Sequence, residues 1–264
     1  MGKKLTNAPV YYTVAQIQFN PILNLDSYLP AIQAKMRETH FPDFRQEVLQ
    51  RIVLPFGGAD PALGSGPAIA PHTRYTFGDI DGKTSFLLET NAMSLQTTEY
   101  DTFEAFSEIL LRGLGFLHDA LRLDFVERIG LRYLDAVQPL KEGESLRDFL
   151  VPEVLGLSLK SDGELQQSVS ETVSITQAGQ LVSRVIIRQG RVGLPMELAA
   201  LAPAVAARFT QKEGLHAIVD TDASVAHREV FDLRKVSQRL EALHTEITKS
   251  FNATVTPHAE AAWA

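Results

Sequence analysis

The segment Glu127-Arg128-Ile129-Gly130-Leu131-Arg132-Tyr133 holds the most distinctive chemistry in the chain. In an extended strand alternate side chains point to opposite faces. That puts Arg128, Gly130 and Arg132 on one face and Ile129, Leu131 and Tyr133 on the other. Two arginines flanking a glycine make a flat cationic strip that can receive a carboxylate, a phosphate or a peptide backbone. The plainer reading, and the preferred one, pairs the arginines with acids on adjacent strands. Arg128, Arg132, Tyr133 and Glu127 are the candidate ligand- or partner-binding residues.

Other chemistry-bearing patterns fall short of a motif. Gly82-Lys83-Thr84 matches the end of a phosphate-binding loop, but Phe77 stands where that loop needs its first glycine. Asp79-Ile80-Asp81-Gly82 opens like a calcium loop, but Thr90 occupies the twelfth place instead of Glu. Gly64-Ser65-Gly66 lacks the full turn that presents a nucleophilic serine. None of the seven histidines has a partner four residues away, as a helical metal site requires. His118 and His244 occupy matching places on two long helices, where a helix dipole favours a charged imidazole. The acids Glu127, Asp135, Asp220 and Asp222 read as solvated faces or ion pairs. No catalytic residue, metal or cofactor is therefore expected. A catalytic site scattered through the sequence would draw on Arg128, Arg132, Tyr133, Glu127, His118 and His244.

Composition narrows the partners. The chain has 264 residues, 45% hydrophobic and 22% charged, which is ordinary for a folded protein. The net charge of -7 disfavours nucleic acid, which calls for a basic face. There is no cysteine, so disulfides, thiolate metal sites and a cysteine nucleophile are excluded. Met1-Gly2-Lys3-Lys4 has no apolar run behind it, so a signal peptide is not expected. No run of about 18 apolar residues is present to span a membrane. A cytoplasmic protein is the expectation. Another protein is its expected partner, with a second copy of the chain admissible.

The elements that must position these residues follow from periodicity. Residues 10–19 alternate and are rich in β-branched and aromatic types, so a strand is predicted. A helix follows, capped by Asp26 or Ser27, with Tyr28, Ile32 and Met36 along one stripe and Pro30 in its first turn. Residues 44–54 form a second strand. Residues 57–71 are so rich in Gly, Pro and Ala that a long loop is predicted. Residues 74–80 and 83–90 form a hairpin around Asp81-Gly82, and 92–98 a short strand. Phe103, Phe106, Leu110, Leu114, Leu117 and Leu121 mark one face of a long helix. Gly113 and Gly115 weaken that helix and suit a close backbone approach. Residues 125–137 return to a strand.

Residues 139–156 read as a crossing segment with a short helix near 146–150. Residues 166–176 and 181–188 form a second hairpin. An Ala-rich stretch at 194–209, interrupted by Pro203, suits a helix. Residues 215–222 form a strand and 231–251 a second long amphipathic helix. The two halves thus share an order of hairpin, strand and long helix. The predicted fold is α+β, with two mixed, mostly antiparallel sheets, each covered by one long helix, and internal duplication as a hypothesis. The boundaries are 1–138, a crossing segment at 139–160, and 161–264. The seam between the halves is the first place to search for a site.

Three stretches carry a family resemblance. They are Leu5-Thr6-Asn7-Ala8-Pro9-Val10 with the strand end from Ile17 to Pro21, then Arg128-Ile129-Gly130-Leu131-Arg132-Tyr133, then a closing helix with Leu243-His244, Phe251, Thr256 and Trp263. Together they resemble a sporadically distributed bacterial family of uncharacterised proteins of about this length, over nearly the whole chain. Such a family implies an accessory or mobile-element setting, as in phage defence or a toxin–antitoxin-like pair, and brings no activity with it. Where the family has Asn, this chain has Asp135, which puts an amide-specific role there in doubt. The expected function is a non-catalytic accessory or protein-interaction module. The alternatives are an enzyme with a dispersed active site, or a sensor of a small anionic ligand or nucleotide.

Overall fold

A computed structural model describes residues 7–53, 68–160, 162–199 and 202–264. Its strands are β1 (Val10–Phe19), β2 (Asp43–Val53), β3 (Ala68–Gly78), β4 (Thr84–Glu89), β5 (Ala92–Thr97), β6 (Phe125–Val137), β7 (Gln167–Ile175), β8 (Gln180–Arg191) and β9 (Glu213–Val230). The helices are α1 (Leu29–Glu38), α2 (Phe103–Leu121), α3 (Leu146–Phe149), α4 (Pro152–Leu155), α5 (Met196–Ala199), α6 (Ala207–Thr210), α7 (Leu233–Thr254) and α8 (Pro257–Trp263).

All nine strands join one antiparallel sheet in the order β2-β3-β4-β5-β1-β6-β9-β8-β7. This corrects the expectation of two sheets, each with its own helix. The physical reason is the pair β6–β9. β9 runs for 18 residues, more than twice the predicted length, and pairs with β6 from Val137↔Ala217 to Phe125↔Val230. A strand already paired on one side by β1 is therefore paired on the other by the second half of the chain. Both long helices then lie side by side on the same face of the shared sheet.

The strand order is palindromic about the β1–β6 pair. β1, β3, β4 and β5, with α2 following, correspond to β6, β7, β8 and β9, with α7 following; β2 is an added edge strand. A reciprocal pair of ring stacks joins the helices. His244 of α7 stacks on Phe103 at the start of α2, with ring centroids 4.2 Å apart. His118 of α2 stacks on Phe231, just before α7, at 4.4 Å. Each helix thus starts beside the later part of the other, so the two run antiparallel.

Three apolar cores hold the layers together. The largest sets Ile17, Phe77, Phe86, Leu95 and Leu131 of the sheet against Met36, Leu110, Leu114, Leu240 and Leu243 of α1, α2 and α7. A second joins Val137, Val185 and Val219 to Phe149 and Trp263 of α3 and α8. A third, on the opposite face, packs Tyr11, Tyr12, Leu134 and Ile218 under Val192, Leu198 and Phe209. The stretch predicted as one Ala-rich helix supplies this cover as two short helices, α5 and α6, flanking Pro203.

Local expectations need smaller corrections. Neither Asp26 nor Ser27 caps α1: its cap position is Tyr28, Ser27 Oγ donates to the Asn24 carbonyl, and Tyr75 donates to the Asp26 carboxylate. The β3–β4 turn is wider than Asp81-Gly82, because Asp79 accepts the backbone N–H groups of Lys83 (2.8 Å) and Thr84 (3.0 Å). β3 begins at Ala68, so 68–71 belong to a strand paired with β2, while 57–67 of the predicted loop lie outside the described residues.

The two glycines of α2 differ sharply. A Cβ on Gly113 would lie 2.6 Å from the ring of buried Phe86, so a side chain rather than a backbone makes the close approach. A Cβ on Gly115 would meet only Leu233, at 3.8 Å. Gly115→Ala is expected to stabilise the fold by about 0.5–1 kcal/mol through helix propensity. Gly113→Ala is expected to destabilise it by about 1–3 kcal/mol, because overpacking outweighs the same gain. Urea unfolding of both variants checks this, and a stabilised Gly113→Ala would sink the packing account.

Candidate functional site

The four residues nominated on β6 are not brought together. Arg132 lies on the face away from the long helices, where its Nε and Nη2 donate to both oxygens of Asp220 at 2.7 Å. Its Nη2 also reaches Glu197 at 3.0 Å. Arg184 grips the same Asp220 at 2.8 Å and Glu171 at 2.6 Å. Asp220 is only 1% exposed, so this is a buried carboxylate neutralised by two guanidiniums. The Arg128 guanidinium lies against Gly130, and Glu127 pairs with Arg228 beside the Phe125 ring. The preferred reading of the strip, arginines paired with neighbouring acids, holds for Arg132.

Tyr133 points the other way, under the helices. It sits in a polar row that crosses six strands at matched register: Thr84, Thr97, Thr13, Tyr133, Thr221 and Ser183. Thr84 and Thr97 bond to each other at 2.9 Å, and Ser183 bonds to Ser250 of α7 at 2.7 Å. Between these ends the hydroxyls of Thr13 and Thr221 are buried with no hydrogen-bond partner among the described residues. Tyr133 Oη meets Tyr100 Oη at 3.1 Å and His244 Nδ1 at 3.3 Å.

This cluster forms the floor of a cavity of about 860 Å³. The Tyr100 loop and the first turn of α2 form one wall, and α7 from His244 to Asn252 forms another. Phe103, Ile247 and Phe251 give apolar surface, whereas Tyr100, Tyr133, Asp135 and His244 converge as polar groups. Thr102 fixes the start of α2 by accepting the Ala105 N–H at 3.2 Å, which holds Phe103 over the His244 ring. The cavity lies on the seam between the two halves.

Electrostatics set the cluster apart. Burial pushes Asp135 up to about 8, and Asp220 on the neighbouring strand adds to the shift. Asp135 is 7% exposed and accepts no hydrogen bond from any described residue. Burial likewise drives Tyr100 up to about 12 and Tyr133 well above the usual phenol range. Burial holds His244 below the usual imidazole range, with Glu104 opposing. The floor is thus neutral near pH 7: two phenols, a neutral imidazole and a protonated carboxyl.

The sequence names Tyr133 and His244 together only within a dispersed set with Arg128, Arg132, Glu127 and His118, and Asp135 only among paired acids and as the position where the resembled family has Asn. No local pattern joins them, because strand register and the antiparallel helix pair bring them together. His118, the counterpart of His244, stays apart on its own Phe231 stack, with Nδ1 buried and unpartnered. Among the described residues no group of His, Asp and Glu side chains is placed to hold a metal ion, and no helix is long and apolar enough to cross a membrane. No protein-family model matches the sequence, and no curated protein matches it.

Two predictions follow from the two carboxylates. Arg132→Ala leaves Asp220 with one guanidinium and is expected to cost about 3 kcal/mol in urea unfolding; Arg132→Lys is expected to recover only part, because one ammonium cannot bind both oxygens. Full recovery by lysine would refute the two-point geometry. Asp135 behaves oppositely. Its folded value lies far above its unfolded value of 3.8, so the folded chain keeps a proton that the unfolded chain loses. Stability on this account is fullest below about pH 4 and falls as pH rises to about 8, by up to about 1.4 kcal/mol per pH unit. Asp135→Asn is expected to gain on the wild type across that window. Equal pH slopes in the two proteins would refute the assignment.

Proposed function

We propose that this chain is an accessory module that binds a small organic molecule in the cavity between α2 and α7. The observation that carries the reading is the cavity itself. Its volume of about 860 Å³ falls in the range of small-molecule sites, roughly 300–1,000 Å³. Its wall is mostly apolar, with a few polar groups converging on the floor, and those groups have perturbed protonation. A site on the seam also couples occupancy to how the two halves pack, which suits a ligand-responsive component of a larger assembly. An anion sensor built on Arg128 and Arg132 gains no support, because Arg132 is spent on Asp220 and Glu197.

One contact favours a second reading as an enzyme. Tyr133 Oη lies 3.3 Å from His244 Nδ1, an acid–base pair facing a cavity. Catalysis would show as turnover lost in Tyr133→Phe and His244→Gln. A binding module shows altered affinity in these variants and no product.

Thermal unfolding with a panel of small amines, alcohols, carboxylates and nucleosides tests the primary reading. A ligand at about one hundred times its Kd is expected to stabilise the fold by about 2.7 kcal/mol. The control is Thr248→Trp, which fills the cavity from its exposed wall. A stabilising compound that loses its effect in Thr248→Trp supports the site. A panel without effect, or an effect that survives the tryptophan, removes it.

A further inference from the structure

We infer that the occupant of this cavity is an organic cation, an amine or quaternary ammonium group on a compact apolar body, with Asp135 as its counter-ion. The inference rests on the small-molecule reading above and specifies the ligand class. Asp135 lines the cavity, is 7% exposed and takes no hydrogen bond from any described residue. A buried carboxyl without a partner costs stability, so its complement is expected to arrive from outside. Asp220 shows how this fold treats a carboxylate that serves only structure: it receives two arginines. Asp135, one strand away, receives none among the described residues.

The surroundings of Asp135 select a cation. Tyr100, Phe103, Tyr133 and Phe251 present aromatic surface to the cavity, and aromatic faces attract ammonium groups. Acids outnumber bases on the lining: Glu99, Asp101, Glu104 and Asp135 against Arg208 and Lys249. Of the two bases, Arg208 already lies over the Phe209 ring at 4.3 Å and donates to the Ala8 carbonyl at 3.0 Å. An anionic ligand would sit beside Asp135 with no free arginine at the floor. A neutral ligand would leave the aromatic surface without a charge to attract.

Binding then has a proton signature. The empty site holds a protonated Asp135, and a bound cation stabilises the ionised form, so one proton passes to solvent per ligand bound. Affinity therefore rises with pH up to about 8 and levels off above it. Several other groups lie within electrostatic reach of Asp135, Asp220 and Tyr11 among them from the opposite face of the sheet. Tyr133 lies on its own strand, Asp220 on β9, Tyr11 on β1 and Tyr100 before α2. Glu104 comes from α2, His244 and Lys249 from α7, and Arg208 from α6. Burial moves the tyrosines above this window and His244 below it, and Asp220 is held by its arginines. A profile centred near 8 therefore reports Asp135.

The test is calorimetric titration of the full chain with three probes of similar size: benzyltrimethylammonium, benzyl alcohol and phenylacetate. The cation carries a permanent charge, so its own titration cannot shape the profile. Wild type is expected to bind it best, with affinity rising roughly tenfold per pH unit below 8. Asp135→Asn, with its fold checked by thermal unfolding, is expected to bind at least tenfold more weakly and with a flat profile. Binding by the alcohol or phenylacetate in preference to the cation overturns the inference and leaves the small-molecule site standing. So does cation binding that is unchanged in Asp135→Asn or independent of pH. No binding of the cation at pH 9 overturns the inference as well, and the wider panel then decides the site.

Discussion

The pairing of β1 with β6 at the centre of the sheet is the contact on which everything else depends. Tyr12, Ala15, Ile17 and Phe19 on one strand, and Ile129, Leu131, Leu134 and Val137 on the other, are all buried. Between them these residues occupy both faces, so both faces need cover. The long helices meet that need on one side and the segment around α5 and α6 on the other. Each central strand then takes a further neighbour, β5 beside β1 and β9 beside β6, and the palindromic order follows. Two sheets were never an option once both central strands needed partners on two sides.

The symmetry that this pairing creates is also what the site breaks. The two His–Phe stacks are equivalent in kind and tie the helices together at both ends. Only the His244 end has Tyr100, Tyr133 and Asp135 beneath it. The polar row through Tyr133 separates the largest core from the core under α8, and apolar side chains there would pack better. A fold that leaves the hydroxyls of Thr13 and Thr221 unpartnered among the described residues gives up stability on the two strands that flank Tyr133 of the cavity floor.

Much of the architecture could be read from period alone. The stripe from Phe103 to Leu121 and the one from Leu233 to Phe251 declared two helices, and the alternation of 10–19 and 125–137 declared the central strands. The repeated order of hairpin, strand and helix was also visible. What period cannot give is which strands pair, since β6 and β9 lie some eighty residues apart and their union is decided by register. The extra length of β9 was hidden because Ala226, His227 and Arg228 near its end are exposed in succession and lack alternation. The site was opaque for the same reason: Tyr133 and His244 meet across 111 positions of sequence.

The comparison of Asp135 with Asp220 shows what distinguishes a structural acid from a functional one. Both are almost fully buried and they sit on adjacent strands, yet they face opposite sides of the sheet. Asp220 faces arginines on two flanking strands, which give its two oxygens three charged hydrogen bonds. Asp135 faces a cavity whose floor carries the Tyr100 and Tyr133 hydroxyls, where no cation among the described residues pairs with it and burial keeps it protonated near pH 7. From sequence the cationic strip was the more conspicuous feature, because arginines on a strand attract notice. In the folded chain Arg132 of that strip is consumed by pairing with Asp220 and Glu197. The acid left without a cationic partner among the described residues lies on the opposite face, and incompleteness in a buried polar group is the stronger sign of a role beyond folding.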